Sequence, residues 1–203
     1  DVKGLYKDQI KSLFNAIVDF STKLQISAND TQHAQRIVAL QIASRKIAEA
    51  TKNIGLLQEN MRKFSTGKNT SLKQEYDEMR VDLGKLLRLI EQMKNVPKKG
   101  LKNTKGMLKK QKKFFEREDK DAFEVVENLI KKKAITTANG TSLLNDLSFI
   151  NNVAKELIAA INHLYGLSKN VSVDSKMHKD KKESKQGKHK KHKGQHNGYE
   201  REL

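Results

Sequence analysis

Cysteine is absent from all 203 residues, which excludes disulfides, thiolate metal sites and cysteine nucleophiles. Tryptophan is also missing and aromatic residues make up only 5%, so any core must be aliphatic. A single proline leaves long helices largely uninterrupted. No run of about 18 apolar residues occurs, so no stretch reads as a membrane-spanning helix, and no signal peptide is visible. Glycine-rich phosphate loops, a paired-carboxylate cleft and an activated serine setting are missing too, so a non-enzymatic protein is expected. Acid is scarce. Against 41 Lys and Arg stand 24 Asp and Glu, a net charge of +17. That balance implies an anionic partner, whether nucleic acid, a phospholipid surface or an acidic protein.

What is present is heptad patterning. With 36% hydrophobic residues, the chain can build one domain with a real core. Over residues 30–64 the positions Leu40, Ala43, Ile47, Ala50, Ile54, Leu57, Met61 and Phe64 alternate three- and four-residue steps, which stacks them on one helical face. Gly55 and the alanines predict close approach of neighbouring helices, since a mid-helix glycine costs about 1 kcal/mol in propensity. A lone amphipathic helix is marginal in water, so this seam needs partners.

The partners follow the same step. Residues 5–24 give a first helix with the seam Tyr6, Ile10, Leu13, Ile17, Phe20 and Leu24. After Ser65-Thr-Gly67, where glycine is expected in a left-handed cap, Ser71 and Gln74 have the spacing of a capping box. The helix they open has the seam Leu72, Tyr76, Met79, Leu83, Leu86, Ile90 and Met93, stopped by Pro97 and Gly100. A fourth helix is expected over about 104–133, with a kink near Asp119. A turn at Ala138-Asn-Gly140, or a start as early as Thr137, introduces the last helix, with the seam Leu143, Leu147, Ile150, Ala154, Leu157, Ile161 and Leu164. Gly166 closes it. The expected fold is all-α, an antiparallel bundle of four to five long helices. Residues 1–26 form a connector helix packed on the bundle and 27–167 the bundle itself. Residues 168–203 form a Lys/His-rich tail too polar to offset the entropy of ordering.

Few residues read as chemistry. Glu78 and Asp82 stand four apart on one helical face and could offer oxygen ligands to a divalent, iron or zinc ion; the competing reading is a hydrated acidic patch facing Arg80 and Lys85. His33 and His163 are isolated, and the tail histidines His178, His189, His192 and His196 sit among lysines that oppose a cation. The strongest feature is a run of lysines without an acid: Lys94, Lys98, Lys99, Lys102, Lys105, Lys109, Lys110, Lys112 and Lys113. An anionic leaflet needs charge alone, at about 1 kcal/mol per lysine. Reading bases needs aromatics or amides beside the charge, and the nearest, Phe114 and Phe115, look like core.

Three stretches carry a resemblance. Residues 44–61 (Ser-Arg-Lys-Ile-Ala-Glu-Ala-Thr-Lys-Asn-Ile-Gly-Leu-Leu-Gln-Glu-Asn-Met), Glu75-Tyr-Asp-Glu-Met-Arg80, and Thr141-Ser-Leu-Leu-Asn-Asp146 fall on successive helices. In order and spacing they resemble the cytosolic C-terminal, PhoU-like domain of bacterial sodium/phosphate cotransporter family proteins. Residues 5–14 look like that family's connector from membrane part to bundle.

The resemblance covers about 5–167 and implies a regulatory or structural domain beneath a membrane-embedded sodium-dependent phosphate symporter. The expected setting is the cytoplasmic face of the inner membrane. The implied partners are the transmembrane portion of the same transporter, an anionic membrane surface and a second copy. PhoU-type proteins bind metal clusters through repeated Glu/Asp-x-x-x-Asp motifs, and only Glu78 and Asp82 match that motif clearly. A start at Asp1 rather than methionine is read as a piece of a longer protein. Two alternatives stand beside this reading. One is a free-standing PhoU-like regulator of phosphate uptake that binds metal or a partner protein; the other is a basic nucleic-acid-binding bundle.

Overall fold

A computed structural model of the chain describes residues 1–27 and 31–166; the expected disordered tail lies outside the described residues. Among the described residues every regular element is helical. α1 (Val2–Leu5), one π turn (Tyr6–Ile10) and α2 (Lys11–Ser27) continue one another as an N-terminal rod, because the backbone stays right-handed helical through Tyr6 and Lys11. α3 (Thr31–Ser65), α4 (Thr70–Met93), α5 (Leu101–Lys131) and α6 (Thr137–Leu164) follow, with a 3-10 turn at Lys98–Gly100. α3 packs most extensively on α6, α5 packs on α6 and α4, and α4 closes the square against α3. The result is an antiparallel four-helix bundle. The rod lies against α3 alone.

Small side chains set the closest spacing. Ala43 and Ala50 on α3 and Ala154 and Ala160 on α6 are buried, and α3 and α6 form the largest interface. One end of the core gathers Leu57, Phe64, Leu72, Tyr76, Val126 and Leu143, with Phe64 stacked on Tyr76 at 4.9 Å. The other end gathers Leu86, Met93, Leu108, Phe115 and Ile158, and Leu83 and Leu157 pack against both. Gly55 is buried under the rod: a Cβ there would stand 3.3 Å from Lys3 Cγ, so the close approach read from the sequence occurs at this position.

Several local expectations change. The first-helix seam is rotated. The wide π turn keeps every fourth residue inward over Tyr6, Ile10 and Phe14, so Ser21 is buried while Leu13, Phe20 and Leu24 emerge exposed. On α3, Leu40 and Ile47 are also exposed, because α4 leaves α3 for α5 and α6 before reaching their level. Asn69 rather than Ser71 caps α4, accepting from Leu72 N at 2.9 Å, and its Nδ2 donates to Ala134 O across the neighbouring turn. Gly67 does not adopt the left-handed conformation, whereas Gly166 does, at φ 62°.

α5 runs unbroken from Leu101 to Lys131 with no break at Asp119. α6 begins at Thr137, capped by Thr136, whose Oγ1 accepts from Asn139 N at 3.2 Å. Gly140 is therefore helical, and its missing side chain is space for Ile130 Cδ1, which would stand 2.7 Å from a Cβ there.

Candidate functional site

The acid-free lysine run becomes the outer face of the first half of α5. The inner face is fixed by Thr104, Leu108 and Phe115, which are buried at helical spacing against α4 and α6. Lys102, Lys105, Lys109 and Lys113 recur at three- and four-residue steps on the opposite arc, flanked by Lys99, Lys110 and Lys112, and all are exposed. Lys112 pairs with Glu116 at 3.6 Å, and Lys94 with Glu91 at 2.7 Å, which raises the Lys94 pKa through hydrogen bonding and charge. Lys99, Lys102, Lys105, Lys109, Lys110 and Lys113 make no ion pair within the described structure. Lysines four apart repel on a helix, so the pattern opposes the fold slightly rather than supporting it. Lys98 belongs to the 3-10 turn that leads into this face.

The second half of α5 is different. Glu116, Arg117, Glu118, Lys120, Asp121, Glu124 and Glu127 mix both signs, and Lys131 is held by Glu127 at 3.0 Å. Within α5 the acid-free lysine stretch is therefore confined to the first half.

Glu78 and Asp82 do share a face of α4. They line an open groove of about 710 Å³ with Gln74, Asp77, Phe114 and Glu118. Glu78 accepts from Gln74 Nε2 at 2.9 Å, and Asp82 holds Lys85 Nζ at 2.7 Å. Nearby Glu75 has its pKa raised, first by burial and then by the charges of Glu78 and Glu118. Among the described residues no three His, Cys, Asp or Glu gather as a metal site, so the pair finds no third ligand. His33 and His163 are separated along α3 and α6; His163 is held below the usual histidine range by burial and by Lys46.

One constellation escaped the sequence reading. Asp146 on α6 is 2% exposed, and its Oδ2 accepts from Tyr76 Oη at 2.5 Å and from Asn60 Nδ2 at 2.8 Å. Asn60 also reaches Ser142 Oγ at 3.1 Å. Burial raises the Asp146 pKa while the two donors pull it down, and burial with the adjacent carboxylate raises Tyr76. The network joins α3, α4 and α6 at one level. A carboxylate this enclosed offers a substrate no approach, so its part is to lock helix register. The sequence signal was a lone Asp at a position that the heptad of α6 turns inward.

Compared with protein-family models, with curated proteins and with solved structures, the chain finds no match. The resemblance to PhoU-like domains rests on the residues quoted for it.

Proposed function

We propose that this bundle is a non-catalytic docking module whose α5 lysine face rests on an anionic membrane surface. In the fuller form of this reading it does so as the cytosolic regulatory domain of a sodium-coupled phosphate transporter. The observation that carries the docking role is the exposed arc of Lys99, Lys102, Lys105, Lys109, Lys110 and Lys113, without an internal counter-ion. Each lysine near an anionic leaflet contributes about 1 kcal/mol, so six in register suffice for reversible binding without any inserted segment. A positive surface next to the bilayer is also what cytoplasmic orientation favours. The transporter assignment is supported by the three stretches at 44–61, 75–80 and 141–146 and by the connector-like residues 5–14.

Co-sedimentation with vesicles tests the docking role. The chain is expected to bind vesicles containing phosphatidylserine, to bind neutral phosphatidylcholine far less, and to lose binding as salt rises. A variant with Lys102→Glu, Lys105→Glu, Lys109→Glu and Lys113→Glu should abolish the difference between the two lipids. Equal recovery on both lipids would end the reading. Tighter binding to duplex DNA than to anionic vesicles, with a steep salt slope, would replace it with the nucleic-acid one.

A further inference from the structure

The N-terminal rod and α3 leave one apolar face uncovered. Val2 N donates to Gln58 Oε1 at 2.8 Å, and Gln41 Nε2 donates to Ser21 Oγ at 2.8 Å, which fixes the two rods antiparallel. In this register Leu13 stands level with Ile47 and Phe20 with Leu40. Helical periodicity then turns Leu13, Phe20 and Leu24 toward the same flank of the pair as Leu40 and Ile47. Their exposures are 59%, 64%, 42%, 50% and 40% respectively.

Side chains of this size at those fractions leave on the order of 500 Å² of apolar surface, within the range of about 300–600 Å² for the largest patch on a typical monomer, where such patches are often functional. One side of a standard interface contributes about 800 Å², of which roughly 60% is apolar. The patch is therefore the apolar area that one partner of a stable dimer supplies.

We propose that a second copy of this chain covers this face. Charge selects that occupant over a lipid surface. The five side chains have no lysine cluster around them: residues 1–27 carry four lysines against three aspartates. Of the α3 cations Arg36, Arg45, Lys46 and Lys52 only Arg36 falls on the Leu40 side by helical spacing, and Lys46 is held by Glu156 at 2.8 Å. Asp19 and Lys23 cancel as a pair at 2.7 Å. Two chains of +17 repel, and they can approach only where the local field is balanced. This face meets that condition. The lysine arc is remote from it, since α5 contacts neither the rod nor α3.

The antiparallel pair is also self-complementary. A two-fold axis through its middle sets the Phe20 and Leu40 end of one copy over the Leu13 and Ile47 end of the other, giving a closed isologous contact.

Sedimentation equilibrium on the full chain tests this. The parent is expected at twice the 23.1 kDa chain mass, and Phe20→Glu at the single mass, with its helical circular dichroism retained because Phe20 is exposed within one chain. Leu13→Lys, at the other end of the face, should weaken association by about tenfold or more. A parent that stays monomeric at every concentration overturns the proposal, as does a Phe20→Glu variant that still dimerises. A monomeric parent whose Phe20→Glu form loses binding to neutral vesicles would reassign the face to lipid. Charge reversal of Lys105 and Lys109 is expected to leave the mass unchanged, so failure of vesicle docking and failure of self-association are read separately.

Discussion

α3 and α5 are the two longest helices, and they meet opposite demands. α3 is approached from several sides, by the rod, α4 and α6, while α5 touches only α4 and α6. The sequence of α3 is accordingly built of small residues at the contacts: Ala43, Ala48, Ala50 and Gly55 are all buried. α5 keeps one narrow inner row, and its outer arc answers to water or to whatever binds it. Composition on α3 reports packing; composition on the outer arc of α5 is what the proposed docking role would use. That contrast gives lysines without internal counter-ions their weight.

The largest expected difference is in truncation. Leu57→Ala removes a buried α3 side chain from the cluster with Phe64 and Tyr76, and should cost about 3 kcal/mol through lost transfer energy and a residual cavity. Phe123→Ala on α5 removes a larger ring, yet the ring is exposed and the change should stay within about 0.5 kcal/mol. Urea unfolding with an unchanged denaturant slope measures both. Comparable losses would mean that the outer arc of α5 is covered.

The fold was legible because four segments keep a three-four step over five or more turns and only one proline interrupts the chain. What could not be read was which part of each seam finds a neighbour. Leu40 and Ile54 stand two heptads apart at the same seam position, and only the divergence of α4 separates the exposed one from the one packed against the core. The π turn at Tyr6–Ile10 carries no sequence mark, so Leu13, Phe20 and Leu24 were assigned to the wrong side. The lysine arc could be read directly, because an acid-free run placed on a helix has only one face to occupy. Asp146 could not, since its partners Asn60 and Tyr76 come from two other helices.

That network supplies the next contrast. Tyr76→Phe deletes one donor to a buried carboxylate and should cost about 1–3 kcal/mol. On α5, Asp119 pairs with half-exposed Lys155 at 3.1 Å, and Lys155→Ala, which leaves the Asn151 bond to Asp119 in place, should cost less than about 1 kcal/mol. Because the folded-state pKa of Asp146 lies above its ordinary value of 3.8, folding favours its protonated form. Its contribution is present in full below about 3.8 and is lost as pH rises through the folded value. The parent should therefore lose stability relative to Asp146→Asn across that interval. Parallel pH profiles for the two proteins would remove the carboxylate as the cause.

Glycines sharpen the comparison at smaller scale. Gly106 on α5 has nothing within 4 Å of a built Cβ, so Gly106→Ala should gain about 0.8 kcal/mol from helix propensity alone. Gly55→Ala on α3 must displace Lys3 from 3.3 Å, and should gain less or nothing. Equal gains in thermal midpoint would show that the rod is held loosely.

The smallest effect separates stability from docking on α5 itself. Lys105, Lys109 and Lys113 succeed one another at four-residue spacing, so Lys109→Glu exchanges two repulsive pairs for two attractive ones. At about 0.2–0.5 kcal/mol per pair, the variant should unfold at slightly higher denaturant concentration. The same change removes a positive charge and adds a negative one at the centre of the arc, so binding to anionic vesicles should weaken by tenfold or more at about 1 kcal/mol per charge. Stability and binding then move in opposite directions from one substitution. A surface kept basic only for solubility would show the first change without the second.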